Sequence, residues 1–219
     1  MPTHAFRTAH RALRRGFTLI ELLAVILIIS ILAVAFLPKI PEYIDSAEVT
    51  ACKQNLSEIY KGFLLYRTNL QRAPNESGVR FFAELISSDT FENTKASASK
   101  MTCPGVDKGS LTGLAGKPET EWYSSLDALD GTCSSYAGRN CKDFPLRKFP
   151  GSGKEALVAD DNDPEKNHRH TTCVLFADGS VQTYEMSDLK KNGVVGEDET
   201  VLVVGPESPI EELRKLSLD

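Results

Sequence analysis

Three sets of residues have types and spacings that can do chemistry. The first centres on Glu21, a carboxylate inside residues 17–37, which read FTLIELLAVILIISILAVAFL and contain no Lys, Arg, Asp, Gly or Pro. A charged side chain at the centre of a transmembrane helix costs ~2.5–3.5 kcal/mol on insertion scales, less near an end, and still needs a partner. The run offers no cation. Just before it, Arg14-Arg15-Gly16-Phe17 sets a small residue at the boundary between charge and apolar chain. Cleavage between Gly16 and Phe17 would create a cation, the new Phe17 amine, one helical turn from Glu21 on the same face. An acid there also suits the positive end of the helix dipole. Within one chain, geometry and membrane depth strain this pair. Between neighbouring chains it would neutralise a buried charge only on assembly, and so set the register of a helical array.

The second set is Asp160, Asp161, Asp163 and Glu165, followed by His168 and His170. Carboxylates at alternate positions can supply ligands to a hard cation. The stretch lacks the glycine and the full ligand set of an EF-hand loop, so a solvated acidic loop is the competing reading. The third set is five cysteines, at 52, 103, 133, 141 and 173. None is paired at C-x2-C spacing, which argues against a zinc ribbon. Cys133–Cys141 would close a short loop and Cys52–Cys103 would tie a helix to a loop region; each bridge would add about 2–4 kcal/mol. Cys173 falls in a strand pattern and reads as a buried thiol. Ser134, Ser135 and the histidines do not make an enzyme on this sequence: there is no nucleophile elbow, P-loop or dinucleotide fingerprint.

The elements that must position these residues begin with the apolar run. Its 21 residues make about 31 Å of helix, close to a bilayer core. That exceeds the apolar stretch of an ordinary signal peptide, and no small-x-small cleavage site follows it. Residues 1–15 carry Arg7, Arg11, Arg14 and Arg15 and no acid. This basic head places the N-terminus in the cytoplasm and everything after Lys39 outside, where disulfides persist. The net charge of -5 argues against nucleic-acid binding. A plain signal anchor accounts for these features equally well.

Beyond the run, Pro38 and Pro41 should kink or locally melt the helix. Val49, Cys52, Leu56, Ile59, Phe63, Tyr66 and Leu70 then recur at spacings of three and four, an amphipathic helix that ends near residues 73–75. Residues 81–88 read as a short helix. Residues 87–154 read as loop-heavy chain, with a short helix near 124–129 and a strand near 134–138. Strands are expected at 156–159, 172–177 and 180–184, the last two joined by Asp178-Gly179 in a two-residue type I′ turn. Residues 201–204 read as a further strand or an apolar tail, and 209–216 as a terminal helix.

The string RRGFTLIELLAVILIISILAVAFLP, residues 14–38, resembles the N-terminus of type IV prepilins and type II secretion pseudopilins. The segment HRHTTCVLFADGSV resembles the H-x9-D-G signature of prepilin-type C-termini through His168, Asp178 and Gly179, although a turn alone explains Asp178-Gly179. The resemblance implies an α+β, pilin-like fold: a long N-terminal helix on a small antiparallel sheet with long loops. The expected organisation is a cleaved leader (1–16), a membrane and filament-core helix (17–37), its amphipathic continuation (38–72) and an exported domain (73–219). A prepilin peptidase would cut between Gly16 and Phe17 and N-methylate Phe17, with Glu21 the assembly residue. Other pilin-like subunits, an assembly ATPase, an inner-membrane platform protein and the lipid bilayer are the implied partners. The implied location is the bacterial inner membrane, then an envelope or surface filament. Some pseudopilins fold around a calcium loop, which suggests Ca²⁺ at Asp161 and Asp163. The rival reading is a solitary membrane-anchored binding module that uses its N-terminus only as an anchor.

Overall fold

A computed structural model describes residues 17–151, 153–160 and 167–219. The chain divides into two compact units between Glu42 and Tyr43.

In the first unit, helix α1 runs over Leu19–Phe36, apolar on every face and with no residue buried. A helix greasy all round needs an apolar environment on all sides. Among the described residues, one helical stretch, Leu19–Leu70, is long and apolar enough to cross a membrane. Pro38 sits in a single 3-10 turn, Leu37–Lys39, and α2 covers Ile40–Leu70. Pro38 thus tightens one turn, as expected. Pro41 falls in the first turn of α2, where a missing amide leaves no hydrogen bond unmade, so it disturbs nothing.

The second unit is built on the remainder of α2. Its 3–4 stripe is the buried one: Cys52, Leu56, Ile59, Phe63 and Tyr66, joined by Gly62. Leu70, the last position of the expected stripe, is exposed. The helix stops there because Gln71 turns to φ +56°. Gly78, also at positive φ, leads into α3 (Val79–Ser87), which starts two residues earlier than its apolar pattern indicates.

Loop-heavy chain follows, as expected. It holds one short helix, α4 (Lys95–Lys100), and several 3-10 turns, including Leu126–Ala128 in the region where a helix was expected. Met101, Leu114, Tyr123 and Leu129 are buried at intervals along it and pin it to the core.

Five strands form one sheet: β1 (Ala137–Arg139), β2 (Ala156–Ala159), β3 (Thr171–Phe176), β4 (Val181–Glu185) and β5 (Leu216–Ser217). Their order is β4-β3-β2-β1-β5. Every neighbouring pair is antiparallel. Alternation along β3 divides the core: Cys173 and Leu175 cluster with α2 and α3, whereas Val174 and Phe176 cluster on the opposite face. In β2 the register shifts between Ala156 and Val158, and both Leu157 and Val158 join the helix-side cluster. The fold is α+β and pilin-like, a long N-terminal helix with an antiparallel sheet.

Three expectations need correction. The β3–β4 connection is not a two-residue type I′ turn. Phe176 N–H donates to Ser180 O at 2.9 Å, and of Asp178 and Gly179 only the glycine has positive φ. A three-residue loop ending in a left-handed glycine results. The Asp178 carboxylate stabilises it by accepting from Ser180 N–H at 2.9 Å and Oγ at 2.6 Å. Of the two readings of residues 201–204, the strand fails and the apolar segment holds. Leu202 and Val204 instead cover the second face of the sheet, together with Met186 and Leu189 of helix α5 (Met186–Lys191), which the sequence reading missed. The expected terminal helix is a 3-10 segment, Glu211–Lys215, and the chain then extends because Leu216 pairs with Arg139 at the sheet edge.

Candidate functional site

At the membrane-helix start, Thr18 is the N-cap of α1 and closes a reciprocal capping box with Glu21. Thr18 N–H and Oγ1–H both donate to Glu21 Oε2, each at 2.8 Å. Glu21 N–H donates to Thr18 Oγ1 at 3.2 Å. The carboxylate therefore has a partner within its own chain, the first turn of the helix it belongs to. The sequence signal was present in Thr18-Leu19-Ile20-Glu21, but a search for a cation passes over it. Phe17 is the first described residue and is exposed. Gly16 and the rest of the leader lie outside the described residues.

A second constellation lies inside the second unit. Cys52 comes from α2, Cys103 from the loop after α4, Asp160 from the end of β2 and His168 from the segment leading into β3. All four are buried, and their ligand atoms lie within 4.8 Å of one another. His168 Nε2 stands 3.2 Å from Asp160 Oδ2 and 3.2 Å from Cys103 Sγ. Cys52 Sγ is 3.3 Å from the same Asp160 oxygen and 3.4 Å from the Tyr136 hydroxyl. The other Asp160 oxygen accepts from Cys173 N–H at 2.8 Å. On the far side of the imidazole, Nδ1 is 3.9 Å from Asp45 Oδ1, too far for a hydrogen bond, and is left without one.

Electrostatics in this pocket favour neutral thiols and a charged imidazole. Burial and a hydrogen bond with Cys103 push the Cys52 thiol well above its usual range. For Cys103 a hydrogen bond with Cys52 pulls downward, but burial and the Asp160 charge prevail and raise it. The Cys173 thiol is raised by its bond to Cys52 and by burial. Burial lowers the His168 pKa, but hydrogen bonds to Asp160 and Cys173 outweigh it and lift it to about 10.

All five cysteines are free thiols in the structure. The expected pair Cys52–Cys103 is brought together but not bonded. The expected pair Cys133–Cys141 is not brought together: Cys133 Sγ faces Ala128 O and Asp130 Oδ1, whereas Cys141 Sγ faces Pro74 O. Cys173 is buried, as its strand position implies. Asp161 and Asp163, the expected calcium ligands, lie outside the described residues. Asp178 and Gly179 form the turn described above and take no part in the His168 cluster. Ser134 Oγ donates to Met101 O at 2.6 Å and Ser135 Oγ lies 2.7 Å from Thr102 Oγ1, so both hydroxyls brace the loop.

The family model of the prokaryotic N-terminal methylation motif matches residues 11–37. The chain thus carries a prepilin-type N-terminal motif, similar to that of type IV pilin-like proteins. The match stops at residue 37 and does not reach the H-x9-D-G segment. No curated protein and no solved structure matched the chain significantly.

Proposed function

We propose that this protein is a structural subunit of a type II secretion pseudopilus or type IV pilus-like filament. The observation that carries this reading is the methylation motif over residues 11–37, with Glu21 placed at the head of an uncovered apolar helix. Proteins with this motif are structural subunits rather than enzymes. In this reading the precursor sits in the inner membrane with its arginine-bearing leader in the cytoplasm and residues 73–219 outside. A prepilin peptidase removes residues 1–16 and methylates the Phe17 amine. An assembly ATPase and a platform protein then draw mature subunits into a filament, where neighbouring helices replace lipid around residues 17–37.

Glu21 exchanges partners along that path. In the single chain it is held by Thr18; in the filament it faces the Phe17 amine of a neighbour. The apolar helix supplies the attraction and this pair supplies the register.

Glu21→Ala tests the proposal. Membrane insertion should stay normal while filament assembly, read by shearing and sedimentation, collapses. If the variant assembles, or if its loss leaves an envelope function intact that needs only the exported domain, the protein acts as a solitary anchored module instead.

A further inference from the structure

The pocket around His168 supports an inference independent of the filament reading. We propose that Cys52, Cys103, Asp160 and His168 bind one structural zinc ion, through Sγ, Sγ, Oδ2 and Nε2.

The spacing of the four atoms is the first argument. Zinc binds thiolate sulfur at about 2.3 Å and imidazole or carboxylate atoms at about 2.0–2.2 Å, so ligands at the corners of a tetrahedron stand about 3.3–3.8 Å apart. The three separations measured directly, 3.2 Å for His168 to Asp160, 3.2 Å for His168 to Cys103 and 3.3 Å for Cys52 to Asp160, stand at or just under the short end of that range, so an ion would spread the four atoms slightly. None of the six exceeds 4.8 Å.

Hydrogen bonding alone accounts for the arrangement poorly. Nε2 carries at most one hydrogen, yet a sulfur and a carboxylate oxygen converge on it at equal distance. The oxygen is fully buried, and its partners here are that shared N–H and a thiol, a weak donor. Even with a charged imidazole as its counter-ion, a carboxylate buried this deeply is costly to take out of water. A cation at the centre of the four atoms gives each of them a partner at once.

The surroundings are those of a ligand set held in place. Asp160 Oδ1 is fixed by the Cys173 amide, which turns Oδ2 inward. The unpartnered Nδ1 of His168 faces Asp45, and that carboxylate is itself held by Arg169 N–H at 3.0 Å. A carboxylate hydrogen-bonded behind a ligating histidine orients the ring and raises its basicity, a role Asp45 would take once the 3.9 Å gap closes. Two thiolates, an imidazole and a carboxylate suit zinc better than calcium or magnesium, which take oxygen ligands. Four protein ligands and no exposed position make the site closed, hence structural rather than catalytic. Binding would expel the two thiol protons and the Nε2 proton of His168, and join α2, the loop after α4, the end of β2 and the segment before β3 at one point.

The test uses the full-length protein, extracted in detergent without chelator, one portion under reducing conditions for metal binding and one portion without reductant for disulfide mapping. Metal analysis should find one zinc per chain. After stripping, Co²⁺ should restore a thiolate charge-transfer band and strong tetrahedral d–d bands, which added Zn²⁺ abolishes. His168→Ala and Cys103→Ser should each weaken Co²⁺ binding by more than about 100-fold, beyond the loss usual for an outer partner. Cys141→Ser, away from the cluster, should bind as the unaltered protein does. Should either ligand variant fail to fold, the cobalt spectrum of the unaltered chain decides alone. A chain that takes up neither metal with this spectrum, or that is isolated with a Cys52–Cys103 disulfide and no metal, overturns the proposal. So does unchanged Co²⁺ affinity in folded His168→Ala.

Discussion

Glu21 accepts two hydrogen bonds from Thr18, from the amide and the hydroxyl, and returns one from its own amide. The acid that the apolar helix must accommodate is therefore satisfied locally before any neighbour arrives. This separates two roles that a single residue could blur. Loss of the Thr18 side chain removes an N-cap, worth about 1 kcal/mol to the helix start, but leaves the carboxylate free for a partner. Thr18→Ala should accordingly still be processed and still assemble, whereas Glu21→Ala should not assemble. Side-by-side filament yields for the two variants check this.

Glu84 occupies a different kind of polar site, inside the core at 4% exposure. Its Oε1 accepts from the amides of Asn75 and Glu76 at 3.0 and 2.8 Å, and Oε2 accepts from the Tyr66 hydroxyl. Arg72 stands 3.6 Å away. Glu84→Ala orphans three donors at once, at about 1–3 kcal/mol for each one left buried and unpaired. Tyr66→Phe removes a single bond, at about 1 kcal/mol. Denaturant midpoints of the detergent-solubilised protein should place Glu84→Ala well below Tyr66→Phe.

Gly138 lies in β1 where the chain before α3 passes closely. A Cβ there would meet the Gly78 carbonyl oxygen at 1.9 Å, and backbone cannot swing aside. At Gly62 a Cβ would meet the Phe91 ring at 2.6 Å and Leu85 Cδ1 at 2.8 Å, which are side-chain ends that can shift. Overpacking costs about 1–3 kcal/mol, and more where nothing yields. Gly138→Ala should therefore lower the melting temperature distinctly more than Gly62→Ala.

Arg139 is buried and donates to Phe144 O, Ala156 O and the Glu155 carboxylate, the last at 2.6 Å. Burial raises the Glu155 pKa, but Arg139 outweighs it and holds the group below the usual 4.5. A carboxylate depressed in the folded state stabilises it above pH 4.5, and that stability is lost as pH falls through the folded pKa. Glu155→Gln should thus be less stable than the unaltered protein near neutrality, and the two should converge in acid. Urea midpoints measured across pH check the convergence.

How far the sequence reaches depends on how local the determinant is. The buried stripe of α2 was legible because Cys52, Leu56, Ile59, Phe63 and Tyr66 follow helical spacing within one segment. The strands at 156–159, 171–176 and 181–185 were legible from short apolar or alternating runs beside turn residues. Helix α5 and β5 were not, because Met186, Leu189 and Leu216 gain their apolar role only by covering or pairing with a sheet built elsewhere. The His168 cluster was hidden for the same reason: Cys52 and Asp160 are 108 residues apart, and Cys103 and His168 are 65 apart. A reading keyed to close spacing singled out the acids at 161 and 163; side chains that only the fold assembles leave no such local signal. Cys52 and Cys103, expected as a disulfide, do lie in one cluster, but as free thiols.

The filament account rests on a freshly made Phe17 amine. Intact-mass and N-terminal fragment analysis of the protein extracted from its native membrane tests this most directly. The account predicts a chain that begins at Phe17, lacks residues 1–16 and carries one methyl group on its terminal nitrogen. A chain that retains Met1 and the leader arginines, or begins anywhere other than Phe17, contradicts it.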